Sequence, residues 1–513
     1  MKRYFTWDFS LLGATSLIWL VYILWLPLWT QDGPNHKQVL NLLQQTTTDP
    51  TLSHFFQSNI AFFQTNQLFH ILYLRIFHFL SLDVYEKLFF GTFVLLQILG
   101  FRFFLKIWND RDSSLWPLFL PFTLHLLYLR GFYNFMAGFT LSLYALAFAK
   151  KAVKEKQISA WIFTQILLLL IFWAHPFPFF VLIPCFAILL YKTTGSFQKF
   201  IAGELLLFSL FFWISGFLQP LFQKHEAVYS SSKLLFYAPW ELLGGLLVFN
   251  FSLYKSWEII FYIPLFLGYL YLAYYSLRNL AWSQKIYWLI CLAGYLIFPK
   301  DAKGGGIINE RFLPYVFCFI PLGIHFTFQK KKILLFMAFA TWACSLFFIG
   351  KGSLSLVQDE KDAHVVLQSL PEYTRLYPMI FNQRATVTNP AIFTHLWAAA
   401  PYDKKTFSSS LFIYSSLMPL SPRGKSFHDF FPVAGEDLPH KIRECFLNSP
   451  NCTQDPYALI HQVLEKAKFY NYWYLYEPPP EILSLFLSNP SLKEVHNLGK
   501  SYLFQNKTFA EQK

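Results

Sequence analysis

The sequence predicts a polytopic α-helical membrane protein, with about eleven transmembrane helices followed by a small extracytoplasmic α/β domain. Three observations predict it. Of 513 residues, 55% are hydrophobic and only 14% charged, where a soluble domain carries about 25% charged residues. Aromatic residues reach 21%, 61 of them Phe, which suits helices facing lipid with Trp and Tyr at the interfaces. Apolar runs of roughly 20 residues, the length that spans a bilayer, recur from Phe9 to residue 350 and then stop. The net charge of +13 would suggest nucleic acid in a soluble chain. Here it reflects Lys and Arg gathered in short cytoplasmic loops, so membrane lipids and no nucleic acid are the expected partners.

The first run, Phe9 to Trp29, lies behind Lys2 and Arg3 and has no small-residue cleavage site, so it reads as a retained helix. A polar stretch, 30–67, follows. Further runs lie at roughly 84–107, 113–129, 131–149, 158–175, 177–191, 199–217, 257–277, 285–299, 311–328 and 332–350. His70, Arg75 and His78 argue that 68–82 lies along the membrane surface, and a segment near 218–256 reads as interfacial or re-entrant. With the N-terminus inside, every strongly basic short loop falls on the cytoplasmic side. These are Arg102, Lys106 and Arg111; KKAVKEK at 150–156; Lys192 and Lys199; Arg278 and Lys285; and QKKK at 329–332. The last helix then exits outward, giving a transmembrane domain over 1–350 and an extracytoplasmic domain over 351–513.

Residues 351–513 alternate strand-like runs, at 379–383, 410–416, 472–477 and 501–506, with helical segments near 456–468 and 479–488, the order of a small α/β domain. There is no P-loop, no GxGxxG after a strand, no HExxH and no CxxC pair. Nucleotide cofactors and structural zinc therefore have no support. Cys185, Cys291, Cys318 and Cys344 lie in apolar runs and read as small core residues. Cys445 and Cys452 flank a short Pro-containing loop, and either a disulfide or two free thiols fits that spacing.

Polar residues expected on the outer face carry the functional argument. In TQDGPNHKQVLNLL, Pro34 suits a first helical turn, and Val39, Leu40, Leu42 and Leu43 predict an amphipathic helix lying on the surface. Asp32 just precedes it and His36 lies four residues on, so both can face one cleft. The plainer reading is that Asp32 caps the helix. In PKDAKGGGIINERFLPYVF, Lys300, Lys303 and Arg311 supply cations and Glu310 opens an apolar helix. Either these charges snorkel at the interface, or Arg311 and a loop lysine bind an anionic head group. His175-Pro176 ends a helix in FWAHPFPFF, and Arg130 opens RGFYNFMAGF with Asn134 four residues along. Asp32, His36, Arg130, His175, Glu310 and Arg311 all fall on the outer side under a topology that rests on the cytoplasmic cations alone.

This pattern resembles the GT-C class of membrane glycosyltransferases. The closer likeness is to a bacterial branch with D-G-P-x-x-H after the first helix, where a GFYNF-like stretch (131–135), a His-Pro helix end (175–176) and an ERFLP-like helix start (310–314) recur. It covers roughly 1–350 and matches the C-terminal domain only loosely. The resemblance implies an inverting transfer of sugar from a polyprenyl-phosphate-linked donor to a glycan or lipid acceptor, at the outer leaflet of a bacterial inner or plasma membrane. Carried over by position, Asp32 is the general base and His36 orients it or the acceptor. Arg311, Lys303 and Arg130 hold the donor phosphate, with Glu310, His175 and Asn134 in support. Some members use a divalent metal; Asp32 and His36 offer two ligands at most and no convincing third, so no cofactor is assigned. The chain departs from several transferase branches by having one acidic residue in that loop, not a pair. The alternative is a non-catalytic or transport protein for lipid-linked glycans. A transporter should place ionisable groups at mid-membrane, where Glu204 is the one partial exception.

Overall fold

The computed structural model describes residues 2–25, 30–108, 113–124, 126–222, 236, 238–240, 242, 259–300, 308–324, 328–382, 392–408, 420–422, 442, 445, 455–466 and 470–510. Two compact units divide the chain: Met1–Leu26 with Ile60–Ile349, and Pro27–Asn59 with Gly350–Lys513.

The first unit is helical. Its main helices are Lys2–Trp25, Leu82–Trp108, Tyr133–Glu155, Ile158–Ala174, Phe179–Lys192, Ser196–Phe222, Ile259–Asn279 and Trp282–Ile297, with the start of Phe328–Leu367. Trp19 anchors the first helix: its indole N–H donates to the Gly91 carbonyl at 2.9 Å, and the glycine lets Ile23 approach. Among the described residues, Leu82–Trp108, Ser196–Gly216 and Lys332–Leu367 are long and apolar enough to cross a membrane, and the chain is an integral membrane protein.

Two expected spans are broken by proline, which removes a backbone donor and crowds the preceding turn. The run 113–129 forms a 3-10 helix, Ser113–Phe122, with Pro117 and Pro121 inside it, and a separate short helix, Leu126–Leu129. The run 311–328 divides into a 3-10 turn Asn309–Phe312, a helix Leu313–Phe319 and a second 3-10 turn Ile320–Gly323, with Pro314 and Pro321 at the breaks. Segment 68–82 contains a short helix, Leu68–Leu72, that runs into a π-helical turn, Tyr73–Phe77. Of 218–256, only the helix end at Phe222 and residues 236, 238–240 and 242 are described.

The second unit is built on a five-stranded mixed sheet ordered β3-β2-β5-β7-β6. The strands are β2 (Arg375–Ile380), β3 (Phe407–Ser408), β5 (Tyr472–Tyr476), β6 (Leu492–Leu498) and β7 (Ser501–Asn506). β2 runs parallel to β3 and β5, while β5–β7 and β6–β7 pair antiparallel. All five residues of β5 and five of six in β2 are buried, as central strands covered on both faces require. Helices Pro456–Lys466 and Pro480–Ser488 belong here, and the expected strand at 410–416 lies outside the described residues. A two-stranded ribbon pairs β1 (Phe56–Ser58) with β4 (Leu420–Pro422). The helix Phe328–Leu367 does not stop at 350, where the apolar run ends; it runs on to Leu367.

Helix Gly33–Thr46 belongs to this unit and corrects one expectation. It does not lie on a surface: every residue from Gly33 to Leu43 is buried, polar side included. The polar side is covered because it is hydrogen-bonded. Gln38 Nε2 donates to the Thr406 carbonyl at 3.2 Å and Asn41 Nδ2 to the Tyr402 carbonyl at 3.0 Å, which removes the penalty for burying amides.

Candidate functional site

Several of the sequence-predicted residues gather into a cluster in each unit. In the second, Asp32 occupies the N-cap of Gly33–Thr46 (φ −95°, ψ −9°), yet its side chain makes no cap hydrogen bond. Thr30 Oγ1 accepts from the Gly33 N–H at 3.1 Å, and the Asp32 carbonyl accepts from His36 N–H at 3.0 Å. The backbone and a threonine therefore open the helix, and the carboxylate is directed elsewhere. Its Oδ1 lies 3.5 Å from Nε2 of His395. The capping reading of Asp32 is thus overturned. Asp32 is 7% exposed and His395 1%, so water competes little for either. His36 is buried on the same helix.

His395 escapes sequence reasoning. It sits in an apolar stretch, IFTHLWAA, with no motif, and 360 positions separate it from Asn35 in the chain. Its backbone leaves the helical region (φ −112°, ψ 28°), a kink inside Ile392–Ala399. Its Nδ1 lies 3.3 Å from Nδ2 of Asn35, one helical turn from Asp32. A buried carboxylate with a histidine on one oxygen can accept a proton on the other.

In the first unit, three short motifs converge. Pro176 stops the helix Ile158–Ala174, leaving His175 extended at its end (φ −165°, ψ 138°). His175 Nδ1 lies 3.0 Å from the Phe177 nitrogen and its Nε2 lies 2.8 Å from Arg311 Nη1; a neutral imidazole has one bare nitrogen, so it accepts from one of these two donors. The Arg311 guanidinium carbon stands 5.1 Å from the centre of the Phe132 ring and 5.6 Å from that of Phe135, within cation–π range. Phe135 meets His175 edge-on at 5.7 Å. So RGFYNF, the His-Pro helix end and the ERFLP helix start share one place.

Glycines make that convergence physically possible. Gly131 has φ 81°, a left-handed conformation that L side chains resist. At Gly294 a Cβ would meet the Phe312 ring at 2.5–2.6 Å, so only glycine lets the residue beside Arg311 seat.

The remaining predicted residues have other placements. Asn134 is a brace: Oδ1 accepts from Phe69 N–H at 2.8 Å and Nδ2 donates to the Asn66 carbonyl at 2.9 Å. Arg130 has its Nε buried without a hydrogen-bond partner. Glu310 is 6% exposed beside Arg311. Lys303 and Cys452 lie outside the described residues, while Cys445 is disulfide-bonded. Among the described residues, no group of three or more His, Cys, Asp or Glu could hold a metal ion.

No family model and no curated protein matches the chain. Among solved structures it is similar to the crystal structure of ArnT from Cupriavidus metallidurans bound to undecaprenyl phosphate, with a TM-score of 0.50, 9% identity and 97% of each chain covered. At that identity the likeness is one of fold, and it extends over nearly the whole of both proteins.

Proposed function

We propose that this chain is an inverting glycosyltransferase that moves a sugar from a polyprenyl-phosphate-linked donor to a glycan or lipid acceptor at the outer leaflet. The observation that carries the reading is Asp32, a buried carboxylate released from the capping duty its position would impose and set against a histidine. The undecaprenyl phosphate bound by the similar ArnT structure supports a lipid-linked donor.

In this reading Asp32 takes the proton from the acceptor hydroxyl as that oxygen attacks the anomeric carbon. The bond from that carbon to the phosphate oxygen breaks, and polyprenyl phosphate leaves with the electron pair. General-base assistance is typically worth about 10²–10⁴-fold. The leaving phosphate is already anionic and needs cations in place of an acid. Arg311 is the foremost donor, with its guanidinium beside two aromatic rings and His175. Arg130 and Lys303 are the further cations assigned to the phosphate in this reading, and His36 is assigned to orient the base or the acceptor.

The topology proposed with it places the N-terminus in the cytoplasm and 351–513 outside, where the disulfide at Cys445 suits an oxidising compartment. The transport alternative rests on Glu204, and that carboxylate already accepts from Trp161 Nε1 at 2.5 Å and Gln165 Nε2 at 2.8 Å. A group so engaged favours a structural role over cargo binding.

The test is Asp32→Asn in native membranes. The variant should insert at normal abundance and lose transfer of labelled sugar from polyprenyl-phosphate donors by at least about 10²-fold. Full transfer in that variant removes the catalytic assignment.

A further inference from the structure

Asn35 and His395 form a chain of contacts that ends on Asp32. An amide NH₂ only donates, so Asn35 Nδ2 at 3.3 Å from His395 Nδ1 requires that nitrogen to be the bare acceptor. A neutral imidazole has one N–H, which is then on Nε2, the atom 3.5 Å from Asp32 Oδ1. The backbone kink at His395 aims the ring, and its burial keeps water from replacing either contact.

We infer that His395 is a positioning residue for Asp32: oriented by Asn35, its Nε2–H donates to one carboxylate oxygen and leaves the other for the acceptor proton. The inference rests on the reading of Asp32 as the base and deepens it. No proton passes through the ring, because Nε2 is already protonated. Its effect is to hold the carboxylate in one rotamer.

Among the described residues, other titratable groups stand on the elements packed here. On the helix itself they are His36 and Lys37; on the packed segment Pro50–Phe55 they are His54 and its capping Asp49. The segment Ile392–Ala399 carries no titratable side chain besides His395.

The test needs no substrate. In the purified full chain, the carboxylate stretch of Asp32 is read as the infrared band that disappears in Asp32→Asn. His395→Leu should shift and broaden that band, as a carboxylate that loses its donor and its single rotamer does. His395→Gln retains an N–H near the Nε2 position and should keep the wild-type band. Asn35→Leu frees the tautomer and should give a smaller change of the same kind, which serves as the measurement if His395→Leu does not accumulate. An unmoved band in His395→Leu, or equal changes in His395→Gln and His395→Leu, overturns the inference. Failure of the broader reading shows separately, as sugar transfer that survives Asp32→Asn.

Discussion

Asp32 and Asp49 both stand at helix N-caps in the second unit, and they use their carboxylates differently. Asp49 Oδ1 accepts from Thr51 and Leu52 N–H at 2.9 and 3.2 Å, and Oδ2 takes Lys405 Nζ at 2.8 Å and the Tyr373 hydroxyl at 2.7 Å. Burial pushes its pKa up, but the bonds from Lys405, Tyr373 and the Leu52 amide outweigh that and hold the carboxyl down from the ordinary 3.8 to about 2. Because the folded value lies below the unfolded one, this contribution is complete above about pH 4 and is lost as pH falls toward about 2. The difference in unfolding midpoint between the wild type and Asp49→Asn should be constant above pH 4 and shrink steadily below it. A constant difference down to pH 2 would deny the clamp. Asp32, by contrast, makes no side-chain cap bond, and sequence alone presents the two residues alike. Arg311 is the other residue whose role geometry sharpens. Arg311→Ala should lower donor affinity by roughly tenfold or more, the worth of a charge-assisted hydrogen bond, read as a raised KM at unchanged abundance. A drop in protein level alone would return it to interfacial snorkelling.

Among the elements, close approaches decide more than propensity. Gly294 on helix Trp282–Ile297 admits the Phe312 ring, and Phe312 also packs on Phe177 at 4.7 Å and Phe298 at 5.2 Å. Gly294→Ala should therefore overpack this joint, costing about 1–3 kcal/mol as a lowered thermal midpoint, with donor affinity falling alongside because Arg311 is the adjacent residue. A variant as stable as wild type would show that the ring relocates freely. Periodicity and length make the apolar helices legible, and alternation with aromatic enrichment does the same for β5 and β7. Strand β6 is not legible: Leu492–Leu498 reads LKEVHNL, a polar edge with a bulge between Glu494 and His496, and its partner β7 is what makes it a strand. The pieces of 113–129 and 311–328 also mislead a hydropathy window, which counts apolar residues and ignores the missing proline donors.

At the scale of the whole molecule, residues 27–59 group with 350–513, so the segment after the first helix folds with the far end of the chain. That pairing carries the contacts of Asn35, Gln38 and Asn41 with residues 395–406. If the proposed function is right, the full chain extracted in mild detergent should carry polyprenyl phosphate, detected by mass spectrometry of its lipids. Arg311→Ala should carry about tenfold less; equal amounts would place the lipid phosphate elsewhere.

By itself, the sequence determined a membrane protein, its order of apolar runs, and the short motifs around Asp32, His175 and Arg311. Each of these is written in local spacing and composition, which periodicity exposes. Only the tertiary structure decided that Asp32 does not cap its helix, that Gly33–Thr46 is buried, and that His395 faces the carboxylate. Those facts depend on side chains hundreds of positions apart meeting without water, and no local pattern encodes such a meeting.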